Sequence, residues 1–136
     1  MFAFDLKGVE QTIDDLERIL GHEALMRAKD AALKKGAEFM KRKIYEAQWR
    51  ARRTGATATA ITFSEPRWVD GERVITIHWG DEQYRVIHLL ENGFYGRDGD
   101  FVKPKNNYGL IENTMAANRS QYLKIVADEL QRQIAG

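Results

Sequence analysis

The sequence predicts an α+β fold: a small antiparallel sheet, made of a hairpin and an N-terminal strand, packed against a long α-helix and a C-terminal helix. Three observations predict it. Apolar residues recur at helical spacing over 23–51 and again from about Ile111 onward. An Asp70-Gly71 pair separates two apolar, β-branched runs, and Phe2, Phe4 and Leu6 alternate with Ala3 and Asp5 at the front of the chain. Periods near 3.6 and near 2 distinguish helix from strand because they set which side chains share a face.

The first element is a short strand over 2–6, broken by Lys7-Gly8. Val9, Ile13, Leu16 and Leu20 then predict an amphipathic helix over 8–20, with Asp14, Asp15 and Glu17 on its wet face and Gly21 as its stop. The second helix, 23–51, would be roughly 40 Å long. Met26, Leu33, Ala37, Met40, Ile44 and Ala47 form its apolar stripe, with Gly36 placed for close approach of another backbone. Arg27, Lys34, Lys35, Lys41, Arg42, Arg52 and Arg53 lie opposite that stripe, and Tyr45 and Trp49 share their side.

Strands over 61–69 and 73–79 follow, joined by Asp70-Gly71, the strongest short hairpin signal. Pro66 lacks a donor, so the first of them is an edge or carries a bulge. Residues 84–90 are short and apolar, with a helical option packing through Val86, Leu89 and Leu90, and Glu91-Asn92-Gly93 forms a structural turn. Residues 94–107 read as a flexible loop with a brief extended piece at Phe101-Val102. Met115, Tyr122, Val126, Leu130 and Ile134 mark one terminal helix. No repeat or linker divides the chain, so 1–136 is expected to be a single domain.

Composition bounds the function. The 136 residues are 43% hydrophobic and 30% charged, enough for a core. No apolar run nears the roughly 18 residues that cross a bilayer, and no leader is expected at the N-terminus. With no cysteine there is no disulfide or thiolate site. The net charge of +1 conceals an asymmetry: 1–26 carry two basic and six acidic side chains, 27–53 ten basic and three acidic, and the rest nine basic and eleven acidic. Such a chain suits copies of itself, an acidic partner or a phosphate backbone.

Candidate chemistry is sparse. His88 and Glu91 are spaced i,i+3, but two ligands fall short of the three or four a metal needs, and no nucleophile completes a hydrolase. Asp98 and Asp100 flank Gly99 without further oxygen ligands. Gly93, Gly96 and Gly99 lack the strand–loop–helix context of a phosphate-binding loop. Exposed Phe94, Tyr95 and Phe101 favour a protein–protein contact. The basic helix 27–53 has two functional readings. One is a nucleic-acid face, with Tyr45 and Trp49 stacking. The other is a subunit interface, where those rings anchor and Asp14, Asp15 and Glu17 of a neighbour meet the cations.

In this order the segments resemble the small tail-completion, or head–tail joining, proteins of long-tailed bacteriophages and prophages. Family members begin with a short strand and a glycine before an amphipathic helix, matched by 2–20. A long charged helix leads to a Thr-Gly start and a small residue with isoleucine, matched by Thr54-Gly55 and Ala60-Ile61. After the hairpin come an aromatic residue, a histidine and a Glu-x-Gly turn, matched by Tyr84, His88 and Glu91-Asn92-Gly93. The chain departs from the pattern at Phe94, where threonine is frequent, and at 109–114, where a proline-bearing lead is usual.

The resemblance covers nearly the whole chain. It implies an α+β subunit with no catalytic site and no cofactor, forming a ring, expected to be hexameric, at the head–tail junction of the virion. Assembly would take place in the host bacterial cytoplasm. Its partners would be copies of itself and the neck or connector and tail-tube proteins, with no membrane. Cyclic symmetry joins unlike surfaces of successive copies. Asp14, Asp15 and Glu17 against Arg27, Lys34, Lys41, Arg42, Arg52 and Arg53 are the candidate pair, and Phe94, Tyr95 and Phe101 the reach towards a partner.

Overall fold

The computed structural model describes residues 2–51 and 60–135, with the backbone path alone at 81–85, 134 and 135. In order they form β1 (Phe2–Phe4), α1 (Glu10–Glu17), α2 (His22–Arg50), β2 (Ile61–Phe63), β3 (Arg67–Val69) and β4 (Glu72–Trp79). Then come α3 (Asp81–Asn92), β5 (Phe94–Tyr95), β6 (Phe101–Val102), α4 (Leu110–Ala117) and α5 (Arg119–Ala135). The fold is α+β, as expected.

The sheet is organised by β4. Val74, Ile75, Thr76 and Ile77 are buried in succession, the pattern of a strand covered on both faces and both edges. On one side β1 runs antiparallel to it, Phe2 opposite Ile77 and Phe4 opposite Ile75. On the other side lie β2 and β3. Asp70 and Gly71 both adopt positive φ, 51° and 79°, as a tight two-residue hairpin turn requires.

The expected single strand over 61–69 is split in two. Phe63 faces Ile77 but Arg67 faces Val74, so three residues on one side oppose two on the other. That one-residue slip is a β-bulge. The Ser64 N–H donates to the Thr76 carbonyl at 2.9 Å, and the Thr76 N–H donates to the Ser64 hydroxyl at 3.0 Å. Pro66, with no N–H to offer, sits inside the bulge.

Helix α2 is the spine. Leu25, Ala28, Ala32, Leu33, Ala37, Met40 and Ile44 are buried, and between them they meet the sheet and α5. Buried Phe4, Ile75, Ile77 and Trp79 join Tyr122, Val126 and Leu130 of α5 in the same core. Leu25 is buried where Met26 was expected, because the stripe begins one residue earlier. At the far end the Trp79 indole N–H donates to the Gln48 side-chain oxygen at 3.1 Å, so neither polar group is orphaned. Arg73 of β4 reaches Asp30 of α2 with two parallel bonds of 2.8 and 2.9 Å, which raises the guanidinium pKa.

Three further expectations are corrected. Gly21 does not stop α1, which ends at Glu17; it occupies the position before α2 in extended conformation. The strand at the N-terminus ends at Phe4, and half-buried Leu6 packs against the core from the turn that follows. The terminal helix is two helices, divided at Asn118, whose side-chain amide donates to the Thr114 carbonyl at 2.8 Å and competes with the helical ladder. No helix among the described residues is long and apolar enough to cross a membrane. The Thr54-Gly55 motif lies outside the described residues.

Gly36 does permit close approach, but of side chains rather than backbone. A Cβ there would lie inside the van der Waals contact of the Tyr122 ring and 2.9 Å from Val126 Cγ2. Tyr122 cannot swing away, because its hydroxyl donates to the Asp5 carbonyl at 2.6 Å. Gly36→Ala therefore gains up to about 1 kcal/mol of helix propensity and loses about 1–3 kcal/mol to overpacking. A net loss of stability is expected in urea denaturation.

Burial, with Asp5 adding to it, pushes the Tyr122 hydroxyl above the ordinary tyrosine range. A folded-state value above the unfolded one gives a contribution that is whole below about pH 10 and lost as pH rises further. Tyr122→Phe should cost about 1 kcal/mol at pH 7 through the lost hydrogen bond. It should also lose less stability than the parent between neutral and strongly alkaline pH. Urea midpoints measured across that range test both.

Candidate functional site: an aromatic hairpin clamped by Glu91

Helix α3 starts after Gly80, whose N–H donates to the Ala60 carbonyl, and ends where Gly93 turns to φ 76°. Its inward face is not the one expected. Val86 and Leu89 are 40% and 49% exposed, whereas Ile87 and Glu91, one turn apart, are buried. Leu90 is half-buried. Apolar composition predicts Val86 and Leu89 inside, but the helix is oriented by what Glu91 binds.

The Glu91 side chain, only 6% exposed, accepts the Ile111 N–H at 2.8 Å and the Glu112 N–H at 3.1 Å. These belong to the first turn of α4, where N–H groups lack partners within the helix. Gly109 at the cap position has no side chain to serve them. A carboxylate twenty residues upstream does so instead, aligned with the positive end of the helix dipole. The Glu91 carbonyl also accepts the Gly109 N–H at 2.9 Å. Both feet of the excursion over 92–109 are thus tied to one residue.

Between those feet stands a hairpin rather than a loop. Phe94 pairs with Val102 and Tyr95 with Phe101. Its turn is held by the Gly96 N–H to the Asp100 carbonyl, 2.8 Å, and the Gly99 N–H to the Gly96 carbonyl, 3.0 Å. Asp98 accepts the Asp100 N–H at 3.1 Å, so this carboxylate shapes the turn. Gly93 has a second role: a Cβ there would strike the Phe101 ring at 2.6 Å and the Val102 carbonyl at 2.7 Å.

The hairpin is aromatic and open to solvent. Tyr95 is 76% exposed; its ring centroid lies 5.2 Å from that of Phe101, which lies 6.3 Å from Tyr108. Phe94 and Val102 are exposed too. Tyr108 was missed in the sequence, where only its place beside Gly109 marks it.

The basic face of α2 is partly committed within the chain. Lys34 pairs with Glu65 at 3.2 Å, and the Lys41 ammonium lies 4.8 Å from the Phe63 ring centroid, so both lean on the β2–β3 edge. Arg27 and Arg42 are exposed, and Tyr45 and Trp49 stack with centroids 6.2 Å apart and planes at 7°. Arg52 and Arg53 lie outside the described residues. Asp14, Asp15 and Glu17 are all exposed on α1, where the Gln11 side-chain amide donates to Asp15.

His88 and Glu91 do not converge. Glu91 turns inward to α4, while exposed His88 has its Nδ1 3.5 Å from the Asn92 amide nitrogen. Among the described residues no three His, Asp or Glu side chains gather into a metal-binding group. Groups with shifted pKa have local causes. Backbone N–H donation from Gly8 lowers Glu10, while Arg132, at 2.8 and 2.9 Å, lowers Glu129 and is itself raised. A cleft of about 380 Å³ opens where β4 meets α3, lined by Phe2, Ser64, Arg67, Thr76, Ile77, His78, Trp79, Ile87 and His88.

Removing the clamp should be costly. Glu91→Ala leaves the buried Ile111 N–H and the part-buried Glu112 N–H without their acceptor, and a loss of about 2–3 kcal/mol is expected. Glu91→Gln keeps one acceptor and should lose about half as much. Denaturant midpoints measure the totals, and faster amide exchange at Ile111 and Glu112 locates the damage.

No protein-family model matches this chain, and no curated protein or solved structure is significantly similar to it.

Proposed function

We propose that this protein is a non-enzymatic virion component that assembles at the head–tail junction of a long-tailed phage or prophage, as a ring. The observation that carries the proposal is the clamped hairpin. A monomer gains nothing from holding Phe94, Tyr95, Phe101 and Tyr108 in solvent, and a rigid apolar projection is suited to burial in a partner. Acidic α1 and the basic stretch of α2 add opposite charges on different elements, as a contact between unlike surfaces of successive copies needs. The order of motifs, from the N-terminal strand to Glu91-Asn92-Gly93, is the reason for choosing this phage family over other assemblies. Its partners would be copies of itself and the tail-tube and neck proteins, and its place the virion.

A second function has one observation in its favour. Parallel, exposed Tyr45 and Trp49 beside Arg42 offer a stacking platform next to positive charge, as single-stranded nucleic acid binding uses. Sequence-independent binding of that kind weakens steeply with salt.

Mass measurement in solution separates the two. The protein mixed with its tail-tube and neck proteins should form a complex larger than any component alone. A strict monomer that ignores both would overturn the assembly proposal. Binding to random-sequence DNA that falls by about tenfold or more between low and physiological salt would favour the nucleic-acid function. No binding at low ionic strength would sink it.

A further inference from the structure

We propose that copies of this chain associate by seating the aromatic hairpin of one copy in the apolar cleft beside α3 of the next. The contact deepens the assembly proposal and rests on it only in requiring self-association. At about 380 Å³ the cleft falls in the size range of sites that enclose a small ligand or a ring or two. Its floor is apolar, with Ile77, Trp79 and Ile87 buried, and its rim carries the exposed polar side chains Arg67, His78 and His88.

The hairpin is the converse of that cleft. Tyr95 and Phe101 project as one apolar knob, and the turn beyond them bears Asp98 and Asp100 against a single cation, Arg97. Rings meet an apolar floor while carboxylates meet a guanidinium and imidazole N–H donors, so the two surfaces complement each other in both polarity and charge. Tyr95 is 76% exposed in its own chain, so its own cleft does not hold it. The contact therefore forms between copies. It joins two different surfaces, and so propagates until a ring closes. The Glu91 clamp holds the knob in place beforehand, which lowers the ordering cost of association.

Two variants of the full chain test this in sedimentation experiments. Tyr95→Ser with Phe101→Ser removes the knob and leaves the cleft. His78→Trp obstructs the cleft from its exposed rim and leaves the knob. The parent should form species larger than a dimer. Each variant alone should associate about tenfold or more weakly. Mixed, they should form a one-to-one heterodimer and nothing larger, because one intact knob and one intact cleft remain between them. That heterodimer also shows that both variants fold.

Association of the parent that the mixture fails to convert into a heterodimer overturns this contact and leaves the head–tail proposal standing, since tube and neck binding decides that separately. A parent that stays monomeric at every concentration overturns the contact as well. An anilinonaphthalene sulfonate dye reports on the cleft directly and should be displaced as copies associate. Retention of the dye in associated protein would assign the cleft to a small amphipathic anion instead.

Discussion

A single carboxylate decides how the last third of this molecule is arranged. Glu91 is buried, and a buried charge is tolerated only where hydrogen bonds replace the water it gave up. It finds two of them in the first turn of α4, whose N–H groups need an acceptor as much as the carboxylate needs donors. The two deficits cancel at one place. That place fixes the roll of α3, the start of α4 and the span of the excursion between them. With Gly93 and Gly109 both at positive φ, the chain leaves and returns through conformations that side chains rarely adopt. The hairpin therefore stands on a base that the core determines, although its own residues are mostly outside the core.

Helix α2 solves a different problem, which is to be a neighbour to both the sheet and α5. A helix of ordinary width with large side chains on both faces would hold its neighbours apart. Here Ala28, Ala32, Gly36 and Ala37 are buried, so α5 approaches closely enough for Tyr122 to lie on the backbone at Gly36. The Tyr122 hydroxyl then reaches past α2 to the carbonyl of Asp5, just beyond β1. One side chain thus links the two ends of the chain across the spine, and the size of the residue at position 36 is what allows it.

How much of this could be read in the sequence depends on whether the signal was local. The β3–β4 turn was legible because Asp70-Gly71 specifies a backbone geometry by itself. The length and inward stripe of α2 were legible because 29 residues repeat one period many times. The inward face of α3 was not. Leu89 has the composition of a buried residue, and the acceptor on Glu91 that turns the helix otherwise lies twenty residues from its donors in α4. The hairpin over 94–102 is not legible in the sequence, because two-residue strands are too short to show a period. Of the aromatic surface, Phe94, Tyr95 and Phe101 were visible as costly residues to expose. Tyr108 joins them only through a ring contact across the excursion. The charges on α2 are plain in the sequence, but charge alone does not show that Lys34 and Lys41 lie against the β2–β3 edge.

That edge bears on one way in which copies could join, by adding strand to strand. A bare strand edge recruits more strands without limit, because every added strand presents the same unpaired backbone as the last. Here the outer side of β2–β3 is interrupted by a bulge containing Pro66, and Glu65 beside it is tied to Lys34. Its regular ladder is broken, and strand addition there meets a missing donor and a charged pair. At this edge the backbone discourages strand addition, while the exposed rings of the β5–β6 hairpin offer side chains for contact. Contacts made by side chains have a fixed angle and can be counted, whereas those made by strand addition form fibres. A ring of the proposed kind would need the second route closed as much as it needs the first one open.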